Sequence, residues 1–172
     1  MWKEAINKEY LKILSKIYAE LIKVAKKHNA TSMLSLTHGQ PASPTTLGKE
    51  FAVFAFRLKK SIQFLKSHQF EAKFSGATGN WSGHLITFNN INWIKFTEKF
   101  IKTFDLKANL LTTQIEPNDS LCESFHKVIR INSILIDFCQ DIWLYISRGI
   151  IKQKKVGSEI GSSTMPHKIN PI

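Results

Sequence analysis

Acidic residues are scarce in this chain. Only 13 Asp and Glu stand against 24 Lys and Arg, a formal charge of +11 over 172 residues. Such a surplus draws anions towards the surface. The lysines are dispersed in pairs such as Lys26-Lys27, Lys59-Lys60 and Lys154-Lys155, without arginine clusters or the aromatic spacing of a nucleic-acid reader. Nucleic acid is therefore not the expected partner, whereas a dianionic or phosphorylated metabolite fits the sign of the charge. Cysteine is almost missing. Cys122 and Cys139 lie inside one apolar-periodic segment and read as small core residues, which argues against a disulfide framework or a cysteine metal site. No apolar run approaches the roughly 18 residues of a membrane span. Met1-Trp2-Lys3-Glu4 opens directly into an amphipathic pattern and not into a leader. The expectation is a cytoplasmic chain, independent of membranes, metals and cofactors.

What is present is hydrophobic helix. Apolar residues make up 43% of the chain and include twelve phenylalanines, enough for one domain spanning 1–172. Ile6, Tyr10, Leu11, Leu14, Ile17, Tyr18, Leu21, Ile22 and Ala25 recur at spacings of three and four, which predicts a helix over 3–28. Residues 33–44 read as a loop with two prolines, and Ser43 before Pro44 predicts the N-cap of a helix running to about Gln69. Glycines and asparagines make 70–90 a loop-rich connection, and a shorter helix is expected over 91–104. From Ser120 to about Lys155 there is no proline, and apolar residues again recur at helical spacing. Three long helices without a convincing strand predict an all-α bundle. Apolar residues on more than one side of the helices at 46–69 and 120–155 predict burial against other chains.

Two polar segments interrupt this pattern. The tail Gly161-Ser162-Ser163-Thr164-Met165-Pro166-His167-Lys168-Ile169-Asn170-Pro171 cannot continue a helix, because Pro166 lacks a backbone donor and biases Met165 towards extended geometry. It offers backbone N–H groups, a neutral donor in Asn170 and a fixed cation in Lys168, a set suited to a carboxylate. A serine in such a loop becomes a base only where solvent is excluded and positive dipoles favour the alkoxide. Residue chemistry leaves Ser162 and Ser163 equally eligible. The second segment runs from Ser35 to Glu50. There His38 sits among Gly39, Gln40, Pro41 and Pro44, in a loop opening onto a helix N-terminus that attracts anions. Histidine changes charge near neutrality and can donate a proton to a departing amine. His28, His68, His84 and His126 have no such setting and are taken as background.

The tail resembles the signature loop of the fumarase/aspartase superfamily, whose members eliminate fumarate from succinyl-bearing substrates. Thr37-His38-Gly39-Gln40-Pro41-Ala42-Ser43-Pro44-Thr45-Thr46-Leu47-Gly48-Lys49-Glu50 is similar to the adenylosuccinate lyase branch; other branches typically follow the histidine with leucine. Gln114-Ile115-Glu116-Pro117 and the His167-Lys168 pair fit the longer bacterial form. The resemblance implies a partial long-helix bundle of the fumarase/aspartase type, the central part of a longer chain. It implies cleavage of adenylosuccinate to AMP and fumarate, and of the succinyl-carboxamide ribotide to AICAR, without a cofactor. It selects Ser162 as general base and His38 as general acid. Thr37, Gln114, Ser163, Lys168 and Asn170 match substrate-contacting positions. It further implies a homotetramer whose active sites draw on several subunits, and little turnover for this stretch by itself. A different fumarate-releasing lyase, such as one acting on argininosuccinate, and a non-catalytic helical assembly module are the alternatives.

Overall fold

The computed structural model describes residues 1–154 and 164–165. The chain divides into two compact units, Met1–Ile131 and Asn132–Ile172. The element order is α1 (Trp2–Ala5), a π-helical turn (Ile6–Tyr10), α2 (Leu11–Lys27), β1 (Ser32–Thr37), β2 (Gln40–Thr46) and α3 (Leu47–Lys66). It continues with β3 (Glu71–Ala72), α4 (Ser82–Thr87), α5 (Trp93–Lys102), β4 (Lys107–Ala108) and α6 (Asp119–Ser147). Helix dominates, in keeping with a partial all-α fold of the fumarase/aspartase type.

The core of the first unit follows the apolar periodicity. Ile6 and Leu11 are both buried although five residues apart, a spacing that would diverge on an α-helix. The π turn between them, with its wider i→i+5 bonding, returns both to one side. Leu14, Leu21 and Ala25 extend that buried stripe along α2, and Phe54, Ala55, Leu58, Ile62 and Leu65 bury the facing side of α3. α2 and α3 pack extensively, and they touch at Gly48. A Cβ there would lie 2.4 Å from the Ala25 carbonyl oxygen and 2.7 Å from the Asn29 nitrogen. Only glycine admits that approach.

The far end of α3 is fastened to the start of α6. His68 Nε2 lies 2.8 Å from the Ser120 carbonyl, which can only accept, so Nε2 carries the proton. Nδ1 therefore accepts from Lys127 Nζ at 2.8 Å, and Lys127 also pairs with Glu123 at 3.2 Å. The Ser120 hydroxyl accepts the Glu71 amide at 3.0 Å. At the other terminus Trp2 Nε1 donates to Ser124 Oγ at 2.8 Å, with its ring against Phe125.

In the second unit α6 ends in a Schellman arrangement. Gly149, at φ 71°, donates to the Ile146 carbonyl, and Ile150 donates to that of Tyr145.

Several expectations are corrected, and the stretch 70–90, expected to be loop-rich, also holds the short helix α4. Residues 33–44 are not an irregular loop: most of that stretch forms an antiparallel hairpin of β1 and β2. The N-cap of α3 is Thr46, whose hydroxyl accepts the Lys49 amide at 3.2 Å, and not Ser43, which lies within β2; α3 closes at Lys66 and not near Gln69. α6 stops at Ser147 instead of running to 155, because Gly149 takes the left-handed conformation that ends a helix. Cys122 and Cys139 are exposed and not core residues.

Candidate active site

The hairpin builds the first part of the site from its turn. Thr37 pairs with Gln40, leaving His38 and Gly39 as the two central residues, both at positive φ (50° and 75°). Positive φ at both positions is the signature of a type I′ turn, whose twist matches that of the flanking strands. Histidine is an uncommon occupant of the left-handed region. The turn therefore holds His38 at an exposed tip by backbone geometry. Below the tip the register slips between Leu34 and Leu36, and Ser35 Oγ donates to the Ser43 carbonyl at 2.6 Å across the bulge. The base is stitched to the helix pair: Leu47 donates to the Thr31 carbonyl at 3.0 Å and Gly48 to that of His28 at 2.9 Å. β2 runs directly into the α3 cap, so Thr37 and His38 project from a rigid helix end.

Gln114 sits on a second loop, between β4 and α6, and its side chain is exposed. β3 and β4 pair in parallel, Glu71 opposite Lys107 and Ala72 opposite Ala108, and deliver the segments after them side by side. Ser75 Oγ and Thr112 Oγ1 lie 3.2 Å apart. Gly79, at φ 79°, backs so closely onto Thr112 that a Cβ would fall 1.8 Å from its carbonyl oxygen. Lys73 Nζ donates to the Gln114 carbonyl at 2.8 Å and to that of Gly76. Glu116 closes the other side, accepting from Asn109 Nδ2 at 3.0 Å and from the Asn118 amide at 2.6 Å. Beneath these loops the Trp81 indole N–H reaches the Phe74 carbonyl at 2.8 Å and the buried Thr97 hydroxyl at 2.9 Å.

The hairpin tip and the Gln114 loop are separate constructions, and among the described residues no hydrogen bond joins them. Ser162, Ser163, Lys168 and Asn170 lie outside the described residues; Thr164 and Met165 beside them are exposed. A cleft of about 770 Å³ opens elsewhere, near the C-terminal ends of α3 and α5, and contains neither His38 nor Gln114. Lys66 and Lys102 on its wall complement the two helix C-termini. Among the described residues no group of three His, Cys, Asp or Glu is placed to hold a metal ion. No described helix is long and apolar enough to cross a membrane.

Three of the background histidines, His28, His68 and His84, have partners that spacing did not reveal. His28 Nδ1 lies 3.2 Å from the Thr31 hydroxyl, and the His84 ring packs on Phe74 and Trp93. Lys73, Ser75 and Gly79 were also missed as parts of the Gln114 clasp. The closely spaced Gly76 and Gly79 were the available sign of a tight approach.

Comparison with known proteins bears on all of these segments at once. A family described as lyase matches residues 1–172. The adenylosuccinate lyase of Legionella pneumophila (strain Corby) is 45% identical over 172 residues, covering 100% of this chain and 38% of the relative. That of Haemophilus influenzae is 44% identical over 169 residues, 98% of this chain and 36% of the relative. That of Escherichia coli (strain K12) is 44% identical over 149 residues, 87% and 33% respectively. The chain thus spans well under half the length of these curated relatives.

Proposed function

Because the chain belongs to the lyase family that matches it from residue 1 to residue 172, we propose that it serves adenylosuccinate cleavage in purine biosynthesis. The observation that carries this reading is the 45% identity to an adenylosuccinate lyase across the whole chain, with the His38 and Ser162 segments both inside the match.

In the proposed reaction Ser162, as alkoxide, removes a proton from the carbon beside a succinyl carboxylate. Lys168 and Asn170 bind that carboxylate while its negative charge grows, with Ser163 and Gln114 as further substrate contacts. The C–N bond then breaks, its electron pair leaves with nitrogen, and His38 supplies the proton that nitrogen takes up. Fumarate and AMP depart. The same steps on the succinyl-carboxamide ribotide give fumarate and AICAR. Thr37, next to His38, contacts the substrate from the hairpin. An exposed histidine on a projecting turn suits a site completed by another subunit, and the proposed assembly is a cytoplasmic homotetramer.

The test replaces the matching stretch of the Legionella enzyme with this chain, giving a full-length protein. The chimera should release fumarate from adenylosuccinate and not from argininosuccinate. Ser162→Ala and His38→Ala should each lower kcat per folded assembly by about 100-fold or more. Lys168→Ala should raise KM and lower kcat together. If Ser162→Ala turned over at a near wild-type rate per folded assembly, the serine base would be excluded.

A further inference from the structure

We propose that Lys73 is a positioning residue for substrate binding, one that fixes Gln114 from behind; this rests on the functional reading above. Its ammonium is half-buried and is spent on main-chain carbonyls, those of Gln114 and Gly76. Among the described residues no carboxylate lies within ion-pair reach of it, whereas Lys107, within the short β3–β4 ladder, is paired with Glu71. Charge-assisted bonds to two carbonyls are strong and directional. The bond to Gln114 crosses from one loop to the other, and the bond to Gly76 anchors the ammonium in its own loop, beside the tight approach of Gly79 to Thr112. Gln114 lies between that contact and the Glu116 staple, so its main chain is held from both sides while its side chain stays exposed.

A neutral amide contributes to binding only when its donor and acceptor already point correctly, because ordering a loose loop would cancel the gain. Lys73 supplies that order without touching the substrate. Its uncompensated charge also adds a positive field beside a polyanionic ligand.

The chimera described above separates the outcomes. An inactive parent chimera would refute the functional reading and this inference with it. In an active one, Lys73→Met should raise KM for adenylosuccinate about tenfold while kcat per folded assembly stays within about threefold of the parent. In a Gln114→Ala background the same substitution should change KM by less than about threefold, because the residue it positions is gone. Should Lys73→Met fail to assemble, Lys73→Gln, which keeps a donor and loses the charge, carries the same comparison. An unchanged KM in an active chimera, with loss confined to the amount of folded protein, would overturn the proposal. Full additivity with Gln114→Ala would overturn it equally.

Discussion

Ser61 is only 3% exposed, and its hydroxyl has no hydrogen-bond partner among the described residues. A buried hydroxyl in that state carries its desolvation cost without return. Ser61→Ala should therefore leave stability unchanged or raise it by up to about 1 kcal/mol, read from the urea midpoint. A loss of that size would mean that the hydroxyl is bonded after all. The same scale shows what a sequence can and cannot disclose. The turn at His38 was legible because Gly39 and two prolines set that stretch apart from the helical pattern. Lys73 was not, because its partners are backbone carbonyls, which every sequence possesses at every position. His68 was hidden for a related reason: its proton is placed by the Ser120 carbonyl, 52 residues away.

Among the elements, the π turn joining α1 to α2 ends at Tyr10, whose burial raises its pKa above the ordinary tyrosine value. The folded chain thus favours the neutral phenol more than the unfolded chain does. Its contribution is fully present below the unfolded value of about 10 and is lost as pH rises through the folded value. Lysines titrate in the same range, so the comparison must be differential. The drop in urea midpoint between pH 9 and pH 11 should be smaller for Tyr10→Phe than for the parent chain. Equal drops would remove Tyr10 as the cause. The longer helices were legible from apolar spacing, and their interiors agree with it, whereas the short α4 lay hidden in a stretch read as loop. Their ends were set by local chemistry that spacing does not report, such as the Thr46 cap and the left-handed Gly149. The hairpin was hidden by Pro41 and Pro44, which count against a strand in any sequence reading, and by a histidine where a type I′ turn usually carries asparagine.

For the molecule as a whole, the question is where the uncovered apolar surface goes. In the first unit Phe56 is 71% exposed on α3, and Ile129 is 60% exposed on α6. Covering one such side chain is worth roughly 1.5–3 kcal/mol, so several together favour association strongly. The chain should self-associate, with a weight-average mass that rises with concentration in sedimentation equilibrium. A constant monomer mass up to the highest soluble concentration would overturn this. The route of that association follows from the hairpin. A two-stranded, exposed hairpin is ordinarily a template on which another chain can lay a strand. Here β2 carries Pro41 and Pro44, which have no amide hydrogen to offer, and the bulge bends β1 out of regular pairing. The element that displays His38 is thereby a poor seed for cross-β growth, and contacts between copies are left to the side chains of the helices.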